Sequence, residues 1–117
     1  MALLDFFRKK TATTFQNIFA KEMEQMMQQK NVAIIDARTD AEYKQGHIPH
    51  AKLMNIMGFS FTKEASKPDT SKTYLVYCRS GQRSVKACNA LAKLGVENLY
   101  NLSGGLSSWQ GKLVVLN

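Results

Sequence analysis

Apolar positions along this chain switch between helical and continuous spacing, and their order predicts alternating helices and strands. Phe15, Ile18, Phe19, Met23, Met26 and Met27 recur every three or four residues, which is one apolar helix face. Thr13, with Gln16 three residues on, supplies a capping box at its start. The methionines there read as core packing rather than as an adaptable binding surface. Val32-Ala33-Ile34-Ile35 is a continuous apolar run ending at Asp36, the pattern of a strand buried on both faces of a parallel sheet. Thr39 and Glu42 form a second capping box, opening a short helix that Gly46 closes. Gly46-His47-Ile48-Pro49 reads as a turn and Ala51 to Ile56 as the next strand. The stretch 58–71, which mixes Gly, Pro, Ser and Lys, reads as a connection with one helical stretch at most. Then follow a strand from Thr73 to Tyr77, a polar loop, and a helix from Val85 to Leu94 stopped by Gly95. Val96 to Leu102 contains a short strand, Ser103-Gly104-Gly105 a tight turn, Leu106 to Gln110 a helical turn, and Leu113 to Leu116 a final edge strand. Strands alternating with helices predict an α/β sandwich on a mainly parallel sheet.

The length of 117 residues suits one domain with one core. The boundary falls after residue 12, with 1–12 as an N-terminal tail and 13–117 as the domain. Neither a repeat nor a low-complexity run interrupts it. No apolar run reaches the ~20 residues that span a bilayer. The apolar patch Met1–Phe7 precedes the basic cluster Arg8-Lys9-Lys10, the reverse of a secretory signal, so the expected compartment is cytoplasmic. A net charge of +7 raises the question of nucleic acid. The basic residues are scattered and do not alternate with aromatics, which points instead to small anions or an acidic partner protein.

One segment carries chemistry. Cys78 stands where the Thr73–Tyr77 strand stops, and Arg79-Ser80-Gly81-Gln82-Arg83-Ser84 leads into the following helix. Loop amides and the helix N-terminus can converge on the sulfur, and two arginines flank it. Cysteines in such electropositive settings titrate at roughly 3.5–7.5 rather than ~8.5, so the thiolate is a ready nucleophile at neutral pH. Gly81 allows the loop to curl with positive φ, and the Ser80 and Ser84 hydroxyls are candidate donors. Arg79 and Arg83 each offer a fork suited to an oxyanion; alternatively Arg83 turns away and braces the loop through a carboxylate. Cys88, the second cysteine, falls inside the helix on the side of Val85, Leu91 and Ala92, and reads as a packing residue. His47 and His50 are too sparse for a metal site, and the cysteines make no zinc pattern.

Three segments together resemble a rhodanese (sulfurtransferase) domain: Ile35-Asp36-Ala37-Arg38 through Glu42-Tyr43 to Gly46-His47-Ile48-Pro49-His50-Ala51; the Cys78–Ser84 loop; and Leu102-Ser103-Gly104-Gly105-Leu106 with Trp109. The resemblance covers about residues 13–115. It implies a rhodanese-like three-layer sandwich with a central five-stranded sheet, and sulfur transfer with no cofactor and no metal. In that chemistry Cys78 carries a sulfane sulfur as a persulfide, residues 79–84 cradle it, and Asp36 and Arg38 support the region. The implied donor is a small sulfur-bearing anion such as thiosulfate, or a low-molecular-weight persulfide; the implied acceptor is cyanide or a thiol such as thioredoxin or glutathione. Where the family usually has Gly-Ala, this chain has His50-Ala51, a departure that bears on the backbone of the turn. Two other readings compete. One is a noncatalytic or regulatory protein-binding module, although such modules often lack the cysteine. The other is a phosphatase-like or arsenate-reductase-like enzyme. Relatives of that kind carry five residues between cysteine and arginine, whereas four separate Cys78 from Arg83 here.

Overall fold

The computed structural model describes residues 15–55 and 67–116. The expected tail boundary at residue 12 and most of the 58–71 connection lie outside them. Five strands, β1 (Gln16–Ile18), β2 (Val32–Asp36), β3 (Lys52–Leu53), β4 (Thr73–Tyr77) and β5 (Asn98–Leu102), form one sheet in the order β1-β5-β4-β2-β3. Every pairing is parallel. Helices α1 (Ala20–Met26), α2 (Asp40–Gln45) and α3 (Gln82–Lys93) cover it, and a 3-10 turn follows at Gly105–Ser108.

Successive residues of the central strands point to opposite faces, so both faces must be buried. Ile35, Tyr74, Val76 and Cys78 pack with Ala87, Cys88 and Leu91 of α3 on one side. Ile34, Leu75 and Tyr77 pack with Met23 of α1 and with Ile48 and Ala51 on the other. The register levels the strand ends: Asp36 of β2 pairs with Tyr77 of β4 and with Leu53 of β3. Cys78 therefore emerges at the C-terminal edge of the sheet, where open α/β sheets place their sites.

Four expectations need correction. The first described helix starts at Ala20, because Gln16–Ile18 pairs with Tyr100–Leu102 as a strand; Thr13 of the expected capping box lies outside the described residues. Its apparent single face is split by the sheet: Phe15 packs in the α3 core, and Met23, Met26 and Met27 in the opposite one. The cap of α1 comes from Glu22, whose carboxylate accepts the Phe19 N–H at 3.0 Å. Residues 113–116 are not a sheet strand. Val114 makes an isolated antiparallel bridge to His47, and the fifth strand is β1. Third, α3 begins at Gln82 rather than Val85, so Gln82, Arg83 and Ser84 are its first turn. Last, the strand after Pro49 is only Lys52–Leu53 within the described residues. The Thr39–Glu42 capping box and the Gly46 stop of α2 are present as expected.

The His50 departure now has a physical meaning. His50 holds φ 70°, a left-handed conformation that glycine adopts freely and other residues adopt at a cost. Replacing it tests this strain: His50→Gly is expected to raise the urea midpoint by the equivalent of about 1 kcal/mol, and His50→Val to lower it by at least as much.

Candidate active site

The site is built on one sorting of the backbone around Cys78, with carbonyls drawn outward and amides left facing in. The 3-10 turn does the first half. Leu106 N–H donates to the Cys78 carbonyl at 2.8 Å, and the Ser107 N–H and hydroxyl both donate to the Arg79 carbonyl at 3.0 Å. This turn fits only because Gly105 has no side chain; a Cβ there would lie 2.5 Å from both carbonyl oxygens. The first turn of α3 does the second half. Its leading N–H groups have no helical partner, and Gly81 precedes it at φ 104°.

The Cys78 sulfur receives the Gly81 N–H at 3.1 Å and sits 3.3 Å from the Ser84 hydroxyl, which is itself fully buried. Burial of Cys78, only 1% exposed, pushes its thiol upward. Hydrogen bonds from the Ser84 hydroxyl and from the amides of Ser84, Gly81 and Ser80 outweigh that, and the net pKa falls below the ordinary 9.0. Cys88 is the contrast: it is fully buried without such donors, and burial, with the neighbouring Cys78 charge, pushes its thiol up to about 12. Ser80 and Gln82 are exposed.

The two arginines part company. Arg83 reaches Glu42 of α2 with both Nη nitrogens, at 2.7 and 3.1 Å. Glu42 also accepts from the Thr39 amide and hydroxyl, so one carboxylate ties the starts of α2 and α3 together. The Arg83 guanidinium is the main reason its pKa is held down at about 2. Arg79 is exposed and has no ion pair among the described residues. It opens onto a cleft of about 340 Å³ shared with Arg38, Glu42, Gln45, Gly46, Leu106, Ser107 and Leu113.

Asp36 and Arg38 lie under this cleft as scaffold. Arg38 chelates the fully buried Asp36 carboxylate, with Nε and Nη2 at 3.0 and 2.8 Å, and also donates to the Gly46 carbonyl at 2.6 Å. Tyr77 donates its hydroxyl to Asp36 at 2.5 Å and accepts the Ile48 N–H at 3.0 Å. His47 is spent on structure as well: its Nδ1 donates to the Tyr43 carbonyl at 2.8 Å and its ring stacks on Tyr43. Among the described residues no group of three His, Cys, Asp or Glu could hold a metal.

Three supports lie beyond what the sequence pattern marks. The apolar run marks Tyr77 only as the last residue of a strand, and the Ser-Gly-Gly run marks Gly105 only as part of a turn. Asn101 on β5 donates to Asn17 at 2.9 Å and reaches the Gly81 carbonyl at 3.4 Å, across a sheet pairing that no local pattern announces.

Comparison with known proteins identifies the family and the fold. The family model for the rhodanese-like domain matches residues 19–112. A putative mitochondrial thiosulfate sulfurtransferase of Schizosaccharomyces pombe is 37% identical over 95 residues, 72% of this chain and 67% of that protein. A tRNA uridine(34) hydroxylase of Aster yellows witches'-broom phytoplasma is also 37% identical, over 76% of this chain but only 30% of its own length. Among solved structures, a rhodanese-like domain protein from Staphylococcus aureus superposes with a TM-score of 0.73 at 28% identity, covering 88% of this chain and all of that one.

The sorting of donors onto the sulfur sets a titration. The pH profile of iodoacetamide alkylation should show one midpoint below 9.0, with Cys88 silent. Ser84→Ala should move that midpoint upward, because it removes a donor to the thiolate while burial stays. An unmoved midpoint would show that the hydroxyl does not act on the sulfur.

Proposed function

The chain belongs to the rhodanese-like family, and from that premise we propose that it is a sulfurtransferase in which Cys78 carries the sulfur. The observation that supports this most directly is the set of inward amides and the Ser84 hydroxyl around the Cys78 sulfur. Such a nest stabilises an anion without titrating. It serves the thiolate that attacks and the persulfide that results. With thiosulfate as donor, the Cys78 thiolate attacks the outer sulfur, the bond from that sulfur to the sulfonate sulfur breaks, and sulfite leaves with the electron pair. Cys78–S–S⁻ then gives its outer sulfur to cyanide or to a thiol acceptor.

The roles divide by what each side chain is already holding. Arg83 is committed to Glu42 and keeps the first turn of α3 in place. Arg79, exposed at the cleft and without an ion pair among the described residues, is the group that meets an anionic donor. The four-residue spacing between Cys78 and Arg83 favours a small sulfur over a tetrahedral oxyanion. Soluble action fits a chain in which no helix among the described residues is long and apolar enough to cross a membrane, and the cytoplasm is the compartment we propose.

Intact mass measured after thiosulfate treatment tests the carrier role. Wild type should gain one sulfur atom, reversed by cyanide; Cys78→Ser should gain none, and Cys88→Ser should behave as wild type. Turnover by Cys78→Ser would end the proposal. Steady-state kinetics test Arg79: Arg79→Ala should raise KM for thiosulfate about tenfold, the scale of one lost charge-assisted contact, and change KM for a neutral persulfide little. Equal losses with both donors would make Arg79 a structural residue only.

A further inference from the structure

Residues 112–116 run along the outside of the cleft as a strap. Trp109 Nε1 donates to the Lys112 carbonyl at 3.3 Å, and Gly111 lies so close to the indole that a Cβ would meet it at 2.7 Å. That turn sends the chain back along α2. Val114 exchanges both backbone hydrogen bonds with His47, at 2.9 and 2.8 Å, and Leu116 N–H donates to the Lys44 carbonyl at 3.2 Å. Leu113 packs over Gly46 and lines the cleft together with Leu106 and Arg79.

Backbone groups alternate sides in such a pairing. With Val114 and Leu116 bonded inward, the amides of Leu113 and Val115 have no backbone partner among the described residues. On the same four residues Leu113, Val115 and Leu116 are 43, 60 and 52% exposed. An open edge that displays apolar side chains is a template for an added strand, and proteins usually blunt it with charge or proline. Here neither is present.

The surrounding charges select the occupant. Glu42 is taken by Arg83, and Asp40 is paired with Lys44 at 3.2 Å. Arg79 has no ion pair among the described residues, and Lys112 is exposed where the strap begins. A second copy of this chain, with its net charge of +7, would set like charges together; an acidic segment is attracted.

We propose that residues 113–116 are the docking edge for a protein thiol acceptor, which adds an extended acidic segment as a strand and so presents its cysteine at the Cys78 loop. This rests on the sulfurtransferase reading. In the transfer the acceptor thiolate attacks the outer sulfur of Cys78–S–S⁻. The new bond joins acceptor sulfur to outer sulfur, the bond from outer sulfur to Cys78 breaks, and Cys78 leaves with the electron pair. The proton lost by the acceptor thiol ends on Cys78, so the products are an acceptor persulfide anion and a Cys78 thiol, with no oxidant needed.

Two acceptors separate the edge from the chemistry: a short peptide alternating valine with glutamate and carrying one cysteine, and glutathione. Val115→Pro deletes the outward N–H and leaves the His47 and Lys44 bonds in place. It is expected to raise KM for the peptide about fivefold, the scale of one lost hydrogen bond, with KM for glutathione unchanged. Val115→Asp keeps the N–H but repels the peptide, and should raise the same KM. Independently, titrating the serine version of the peptide into labelled wild type should shift the amide resonances of residues 113–116. Absent shifts, or equal losses with both acceptors, overturn the docking edge even where transfer to glutathione is intact. Shifts without transfer to either acceptor overturn the sulfurtransferase reading and leave a peptide-binding edge with no acceptor role. A wild-type dimer that Val115→Pro dissolves, with no peptide binding, assigns the edge to a second copy instead.

Discussion

The buried carboxylate of Asp36 is the constraint on which the rest of the structure depends. It is fully excluded from solvent, and an unpaired charge there would cost on the order of 3–5 kcal/mol. The chain meets it with Arg38, two residues away, and Tyr77, on the neighbouring strand. Each partner has a second obligation: Arg38 holds the Gly46 carbonyl and Tyr77 holds the Ile48 amide. Satisfying one carboxylate therefore fixes the end of β2, the end of β4 and the turn from Gly46 to Ile48. Cys78 is the residue after Tyr77, so its position follows from the same network.

Above that floor, the lowered pKa of the Cys78 thiol comes from excluding acceptors as much as from supplying donors. Carbonyl oxygens of Cys78 and Arg79 would repel a thiolate if they turned inward. The Gly105 turn binds them from outside and leaves the amides of residues 80, 81 and 84 to the sulfur. The contrast with Cys88 makes the point within one protein. Burial raises both thiols, and only the one with donors ends below its ordinary pKa.

The charged side chains are partitioned in the same economical way. Glu42 caps α2 and neutralises Arg83, which removes one arginine from the surface of the site. Among the described residues Arg79 is the cleft-lining arginine without an ion pair, beside the apolar wall of Leu106 and Leu113. The cleft has one charged and one apolar flank, and the 113–116 segment borders it with an open backbone edge.

Local chemistry was legible in the sequence wherever neighbours along the chain decide the outcome. Thr39, Glu42 and Gly46 bound α2 because a cap needs only residues three apart, and β2 and β4 follow from unbroken apolar runs that suit a strand buried on both sides. The Cys78 loop, with its electropositive flanks, was visible for the same reason. Contacts between distant segments had to be decided in three dimensions. Gln16–Ile18 is a strand because Tyr100–Leu102 offers it an edge, against a helical periodicity that Phe15 and the methionines produce from opposite faces of the sheet. Leu113–Leu116 looks like a strand yet, among the described residues, bonds through its backbone only to His47 and Lys44. The partner of Arg83 is Glu42, forty-one residues earlier, which no local pattern announces. Backbone propensity is a property of adjacent residues, whereas the partner of a side chain or an edge is set by how the whole sheet packs.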